Sequence, residues 1–228
     1  MMEQRQPVKA MRPIRQGKEV DFSLHHWHFH RPELWDLFTG LKKDAVIVEA
    51  APGKGAVADK LLASGFKDIH LLDIEDHRMF EPVKKLPLAL VDLGRDILPF
   101  SDKSVDVVLA LEIIEHLENP WLFAREIHRV LKPGGMLILS FPLPWNLISR
   151  LLFLKKGKFE NYGSLHPQHI WAPIQEVFDF CLRYFKKDTE KTFYDRRTRF
   201  YFGGFSFKWN FPANERWGMH VCYVFRNS

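Results

Sequence analysis

Cysteine is scarce in this chain, and long apolar runs are missing from it. The two cysteines among 228 residues, Cys181 and Cys222, lie far apart within apolar segments. They make neither a disulfide framework nor a metal-binding spacing, so we expect two buried thiols in a reducing compartment. No uninterrupted apolar run reaches the roughly 18 residues of a membrane span, and no apolar segment follows the basic amino terminus. The sequence therefore predicts a cytoplasmic protein without a membrane span.

Charge of one sign is concentrated late in the chain. The net charge is +5, and residues 183–228 contain ten Lys or Arg against four Asp or Glu. A basic, aromatic segment attracts phosphates, lipid headgroups and anionic substrates, although a solvated surface explains it equally well. With 46% hydrophobic residues, the chain can bury one large core. We expect one compact domain with appendages.

Short apolar runs alternate with helical segments through the middle of the chain, a pattern typical of βαβ units and a parallel sheet. Helices are predicted near 56–64 and 120–131, and the second is capped by Asn119 and followed by Gly134 and Gly135. Strands are predicted at 46–50, 69–72, 88–91, 105–111 and 136–141.

The two ends of the chain have a different character. Residues 31–42 predict a short lid helix, so residues 1–43 are interpreted as an amino-terminal extension and residues 44–228 as the main domain. Residues 142–171 have a loop-like pattern, and 143–175 are interpreted as an insertion on the acceptor side. A helix at 173–185 and aromatic strands near 192–202 and 219–226 complete the prediction.

A glycine-containing turn follows the first predicted strand. Glu49 stands at the carboxyl end of the strand. Gly53 and Gly55 open the turn into a helix, where they would let the backbone approach a ligand closely. This is not a P-loop, because no Ser or Thr follows Lys54. Asp73 ends the second strand, where a carboxylate can accept hydrogen bonds from both hydroxyls of an adenosine ribose.

After the third strand, Asp92 and Leu93 stand where a side chain and the backbone could meet an adenine edge. Asp96 is a nearby competitor for that position.

A longer set of motifs follows. The segment contains Leu98-Pro99-Phe100, the turn 102–106, Glu115-His116 and the helix end 129–135, RVLKPGG. With the earlier EAAPGKG and LLD elements, residues 44–142 resemble the class I small-molecule methyltransferases. The resemblance implies a Rossmann-like, seven-stranded, mostly parallel sheet with helices on both faces and an antiparallel carboxyl-terminal strand. It also implies that S-adenosylmethionine lies across the carboxyl ends of the first strands.

The family's D/E-x-G-x-G-x-G motif is met only in part. Glu49, Gly53 and Gly55 match it, whereas Ala51 stands at its first glycine. The resemblance implies a set of donor-binding residues along the first four strands. They are Glu49, Ala50, Ala51, Gly53, Gly55, Asp73, Ile74, Asp92, Leu93, Leu111 and Glu112.

A hydroxyl acceptor would benefit from a general base, whereas a neutral amine needs little more than positioning. His116, after the fourth strand, is one candidate base. His166 and His169, in the segment that resembles the family's acceptor side, are the others. Each has a structural alternative, as a packed or loop histidine.

Two further features have ordinary explanations. The cluster His25, His26, His28 and His30 lacks cysteine or carboxylate neighbours at a metal-binding spacing, so no metal ligand is predicted. Trp27, His28 and Phe29 could instead close over the donor. Lys155, Lys156 and Lys158 fit either a membrane surface or a packed helix with extended lysines.

The function predicted is methyl transfer from S-adenosylmethionine to a small-molecule, lipid or saccharide acceptor, with oxygen favoured over nitrogen or carbon. An RNA methyltransferase is one alternative, since the sequence AAPG at residues 50–53 resembles an element of ribose-methylating RNA enzymes. A non-catalytic, methyltransferase-like scaffold is another, raised by Ala51. Peripheral membrane contact stays open, and the oligomeric state is not predicted.

Overall fold

The computed structural model describes residues 27–157, 169–172, 175–195, 197–202, 205–210 and 212–228. Its centre is a seven-stranded sheet. In chain order the strands are β1 (Val46–Ala50), β2 (Asp68–Asp73), β3 (Leu88–Leu90), β4 (Val105–Leu111), β5 (Leu131–Pro142), β6 (Phe185–Tyr194) and, after a hairpin, β9 (His220–Asn227). The hairpin is β7 (Arg197–Phe202) with β8 (Phe205–Asn210).

The spatial order of the sheet is β3-β2-β1-β4-β5-β9-β6. Strands β1 to β5 pair in parallel, whereas β9 runs antiparallel to both β5 and β6. The predicted Rossmann-like sheet with an antiparallel carboxyl-terminal strand is confirmed. Because the order reverses beside β1, the loops after β1 and β4 diverge and leave a crevice at the carboxyl ends of the strands.

Helices cover both faces of the sheet. They are α1 (Pro32–Asp36), α2 (Ala56–Ala63), α3 (Glu81–Lys84), α4 (Pro120–Val130), α5 (Leu147–Lys156) and α6 (Gln175–Cys181), with 3-10 turns at Trp27–His30 and Ile114–His116. Alternate residues of β1 point to opposite sides, so Val48 packs with α4 and α6 while Ile47 packs with α1 and α2. Cys181 and Cys222 are both buried, as predicted. Within the described residues, no helix is long and apolar enough to span a membrane.

The predicted helix 31–42 is wrong in length. Helix α1 ends at Asp36 and a turn follows, in which Gly40 has a φ of 85°. Leu34 and Phe38 are nevertheless both buried against the core.

The loop predicted for 142–171 is also corrected. Residues 147–156 form α5, whose amino-terminal Asn146 side chain accepts a hydrogen bond from the Ser149 N–H at 2.9 Å. Gly157 ends the helix in a left-handed conformation, with a φ of 68°. Asn146 and Gly157 are helix-capping residues. Because asparagine and glycine are also common in loops, the sequence pattern here resembles a loop.

The predicted helix 173–185 ends too late. Helix α6 stops at Cys181, and Phe185 begins β6, where it pairs with Asn227 of β9. Pairing with an open edge of the sheet overrides the local helical pattern here. The predicted strand 192–202 is divided between β6 and β7, and α3 was not predicted.

Candidate donor and acceptor site

A cleft of about 260 Å³ lies at the carboxyl ends of β1, β2, β3 and β4. Its walls combine apolar side chains with a few polar groups, as is usual for a small-molecule site. The lining residues are Ala51, Asp73, Ile74, Val91, Asp92, Leu93, Ile113, His116, Leu117 and Glu118. Five of the predicted donor-binding residues are among them: Ala51, Asp73, Ile74, Asp92 and Leu93.

The turn after β1 depends on left-handed backbone. Ala51 has a φ of 56° and Gly53 a φ of 53°, and a Cβ built on Gly53 would meet no atom within 4 Å. At Gly55, with a φ of 88°, a Cβ would lie 2.8 Å from Cγ1 of Val83. Gly55 is therefore required by packing against α3, whereas Gly53 leaves an open space above the turn.

Asp73 lies at the end of β2, with 9% of its surface exposed. Its Oδ1 accepts a hydrogen bond from the Ile74 N–H at 2.8 Å, and the backbone of Gly53 also stabilises the ionised carboxylate. Burial is the larger effect and raises the pKa of Asp73. The carboxylate is fixed by backbone donors at the cleft, while its remaining acceptor capacity can serve a ligand.

Glu49 lies beneath the turn rather than in the cleft wall. It is 4% exposed, and burial raises the pKa of its carboxyl to about 8, although the backbone N–H of Ala58 favours the ionised form. Its Oε2 has no hydrogen-bond partner among the described residues. An unsatisfied buried carboxylate oxygen fits a positively charged group of a ligand.

Asp92 and Asp96, the two candidates for the adenine edge, lie in different surroundings. Asp92 lines the cleft, and its Oδ1 accepts a hydrogen bond from the Gly94 N–H at 2.9 Å. Asp96 is exposed, and its Oδ2 accepts from the Asp92 N–H at 2.8 Å. Asp96 therefore supports the turn that presents Asp92.

Three further predicted donor-binding residues, Ala50, Leu111 and Glu112, contact the core or a neighbouring strand. Ala50 is buried at the end of β1, and Leu111 packs against the core. Glu112 has a φ of 54°, donates its N–H to the Ser140 carbonyl at 2.9 Å and accepts from Ser140 Oγ at 2.8 Å. These three residues do not line the cleft, and their role in donor binding stays a prediction.

Two of the three candidate bases come together. The imidazole centroids of His116 and His169 are 4.7 Å apart in an edge-to-face arrangement, and His116 lines the cleft. Glu115, which the sequence reasoning did not consider as a site residue, lies beside them. Its carbonyl accepts hydrogen bonds from the N–H groups of Ile170 and Trp171 at 2.9 and 3.1 Å. His166 lies outside the described residues.

Arg129 explains why several of the motif residues occur together. Its guanidinium donates to the carbonyls of Leu98 and Phe100 at 3.0 and 2.8 Å, and to the carboxylates of Asp102 and Glu126 at 2.8 and 2.7 Å. This network joins the segment before β4 to helix α4. Its role is structural, since none of these residues lines the cleft.

The early histidines give less information. His25 and His26 lie outside the described residues, as does the side chain of His28. Phe29 packs edge-to-face on Trp35, with Lys60 of α2 above both rings. Phe29 is not a lining residue of the cleft, so a lid over the donor stays a prediction.

Comparison with known proteins agrees with this geometry. Residues 48–139 match a family model described as a methyltransferase domain. An uncharacterized methyltransferase of Mycolicibacterium gilvum is 28% identical over 115 residues, which is 48% of this chain and 44% of that protein. One from Mycolicibacterium vanbaalenii is 30% identical over 115 residues, with the same two shares. This chain thus spans less than half the length of the curated relatives it matches.

Solved structures share the fold. A SAM-dependent methyltransferase from Archaeoglobus fulgidus superposes with a TM-score of 0.61 at 14% identity, over 88% of this chain and 94% of that one. An S-adenosylmethionine-dependent methyltransferase from Mesorhizobium loti gives 0.57 at 14% identity, over 87% and 99%. At such identities the likeness shows the fold alone. The matched methyltransferase domain, residues 48–139, contains all of the residues that line the cleft.

Proposed function

We propose that this chain transfers the methyl group of S-adenosylmethionine to an oxygen atom of a small-molecule, lipid or saccharide acceptor. The observation that carries the proposal is the cleft at the carboxyl ends of β1 and β2, where Asp73 stands beside the left-handed turn of Ala51 and Gly53. This is the place where parallel α/β sheets bind nucleotide-like ligands.

The residues present fit the donor. Asp73 would accept hydrogen bonds from the ribose hydroxyls. The positively charged end of the molecule would favour the ionised form of Glu49, whose Oε2 has no hydrogen-bond partner among the described residues. Ile74 and Leu93 supply apolar surface for the adenine, and Asp92 supplies a polar edge. The donor would bring an already activated methyl group, so the protein has to align the acceptor and exclude water.

The acceptor side is assigned to His116 and His169. Their contact brings the edge of the cleft together with residues 169–172, so an acceptor near His116 would also lie near His169. Two imidazoles there can act on the proton of a hydroxyl, which favours an oxygen acceptor. His166 keeps its predicted role as an alternative base.

The surface of α5 favours a lipid among the three acceptor classes. Leu151, Phe153 and Leu154 are exposed, Leu154 at 80%, and Lys155 and Lys156 follow them. Apolar residues flanked by lysines fit the interface of an anionic membrane. Co-sedimentation with anionic and with neutral vesicles tests this, and equal recovery with both would remove the support for a lipid acceptor.

The conformation of Ala51 weakens the alternative that this chain is a non-catalytic scaffold. Ala51 adopts a left-handed conformation, with a φ of 56°, which glycine adopts without a steric cost. An RNA acceptor is kept as an outcome of the substrate test. The cytoplasmic location and the division at residue 43 stay predictions.

Calorimetric titration with S-adenosylmethionine and, separately, with NAD tests the donor, because the Gly-x-Gly-x-x-Ala pattern of Gly53, Gly55 and Ala58 would also suit a dinucleotide. We expect binding of the first alone, with a dissociation constant on the order of micromolar, and a screen with labelled methyl groups would then compare phenols, saccharides, lipids and RNA. Binding of neither ligand would contradict the proposal and favour the scaffold. His166→Ala and His169→Ala should lower turnover without changing donor affinity.

A further inference from the structure

Three side chains with ligating atoms converge at the edge of the cleft. Potential ligand atoms of Glu115, His116 and His169 all lie within 4.8 Å of one another. Oε1 of Glu115 is 3.9 Å from Nε2 of His116. Bonds of about 2.0–2.2 Å place two ligands of one ion at most about 4.4 Å apart. Small side-chain rotations would therefore bring the three groups onto one ion.

Glu115 gives an independent indication of a cation site. Its side chain is 1% exposed, and neither carboxylate oxygen has a hydrogen-bond partner among the described residues. A buried carboxyl with two unsatisfied oxygens is costly, and a bound cation would satisfy both its charge and its lone pairs.

The fold keeps the third group in place. The N–H groups of Ile170 and Trp171 both donate to the Glu115 carbonyl, at 2.9 and 3.1 Å, so the backbone directly after His169 is hydrogen-bonded to Glu115. The backbone thus holds two distant parts of the sequence together at the ligating groups.

We propose that Glu115, His116 and His169 bind one divalent transition-metal cation beside the donor cleft. Two imidazoles and one carboxylate suit Zn²⁺, Co²⁺, Mn²⁺ or Fe²⁺ better than Mg²⁺ or Ca²⁺, which prefer all-oxygen ligands. Three protein ligands leave coordination positions open, as in catalytic rather than structural metal sites.

The consequence for catalysis rests on the proposed function. A cation at this position would hold an oxygen of the acceptor and lower the pKa of that hydroxyl, so the two histidines would act through the metal rather than as free bases. The site therefore selects acceptors with an oxygen that can coordinate, such as a phenol or a vicinal diol, over amines.

The test uses the full chain, stripped of metal with a chelator, and titrates it with Co²⁺ and with Zn²⁺. Calorimetry should give one equivalent of specific binding, and the visible absorption of Co²⁺ should report nitrogen ligands. Glu115→Gln and His169→Gln should each weaken binding by at least about tenfold, the loss expected even for outer-sphere partners. His70→Gln is the matched control, because His70 also pairs with a carboxylate, Asp68, at 2.7 Å, away from the cleft.

Three results would overturn the proposal: no stoichiometric binding, binding unchanged in both ligand variants, or an equal loss in the His70 control. Unchanged circular dichroism in the glutamine variants establishes that they fold. Should either variant unfold, the Co²⁺ absorption of the wild-type chain decides alone, since spectra without histidine ligation contradict the site. Titration with S-adenosylmethionine is run separately, so that a failure of the donor proposal can be distinguished from a failure of the metal proposal.

Discussion

The N–H of Ala51 donates to the carbonyl of Leu72 at 2.7 Å and ties the turn after β1 to the last residues of β2. The bond holds Ala51 at a φ of 56°, a conformation that costs a residue with a Cβ about 1–2 kcal/mol. Ala51 therefore holds this left-handed turn at a cost in stability.

Ala51→Gly should relieve this strain. Glycine also loses about 0.4–1 kcal/mol through the greater freedom of the unfolded chain, so we expect a net stabilisation of about 0.5–1 kcal/mol. Urea denaturation measures it. Donor affinity should stay the same or rise, and a destabilised variant would show that the left-handed conformation is not strained.

Asp73→Ala should weaken the binding of S-adenosylmethionine by at least about tenfold, because a charge-assisted hydrogen bond contributes about 1.5–3 kcal/mol. Asp68→Ala is the control, since Asp68 begins the same strand at its opposite end. Calorimetry on both variants gives the comparison. Equal affinities would remove Asp73 from the donor site.

Gly53→Val should abolish donor binding, since its side chain would enter the open space above the turn. Gly134→Val is the control for the effect of backbone strain alone. Gly134 also has a positive φ, 75°, and a Cβ built on it would meet no atom within 4 Å, but it lies in β5 away from the cleft. We expect both variants to lose stability and only the first to lose affinity. Normal binding by Gly53→Val would place the donor elsewhere.

Glu49 should make stability depend on pH. Burial raises its pKa from 4.5 to about 8, so the stability that its protonated form contributes is complete below pH 4.5 and is lost as the pH rises through about 8. At about 1.4 kcal/mol per pKa unit, the change is on the order of a few kcal/mol. Glu49→Gln should flatten this part of the profile in urea denaturation. An unchanged profile would mean that Glu49 stays ionised.

Arg129→Lys should destabilise the fold by about 2–3 kcal/mol, because a single ammonium cannot reach all four acceptors that the guanidinium contacts. Donor affinity, measured under folding conditions, should be unaffected. Reduced affinity in a stably folded variant would instead give Arg129 an influence on the cleft.

The parallel part of the central sheet was predictable from sequence, because each of its strands is a short continuous run of mainly apolar residues. Val46–Ala50 and Val105–Leu111 have the predicted bounds, since buried parallel strands are continuous runs of apolar residues. Strand β6 was not predictable in the same way. Its residues are largely polar and become a strand by pairing with β9, a partner that is distant in sequence.

The residues of the candidate site were likewise predictable only in part. The positions of Asp73 and Asp92 at the cleft could be predicted, because Asp73 ends β2 and Asp92 lies two residues after β3, at strand ends that form the cleft. The role of Glu115 could not, because it depends on His169, 54 residues later, returning to the same place. The adjacent Glu115-His116 pair and the downstream histidines were the available signs, and spacing alone does not join them.

The position of β9 has a consequence for how the chain acquires its structure. β9 lies between β5 and β6 although it follows both in sequence, and the side chain of Asn227 donates to the Leu131 carbonyl at 2.8 Å. During synthesis, β5 therefore has an open edge until residues 220–227 leave the ribosome. Folding of this side of the sheet is limited by a late, long-range pairing, and a nascent chain that stops short of β9 exposes an aggregation-prone strand.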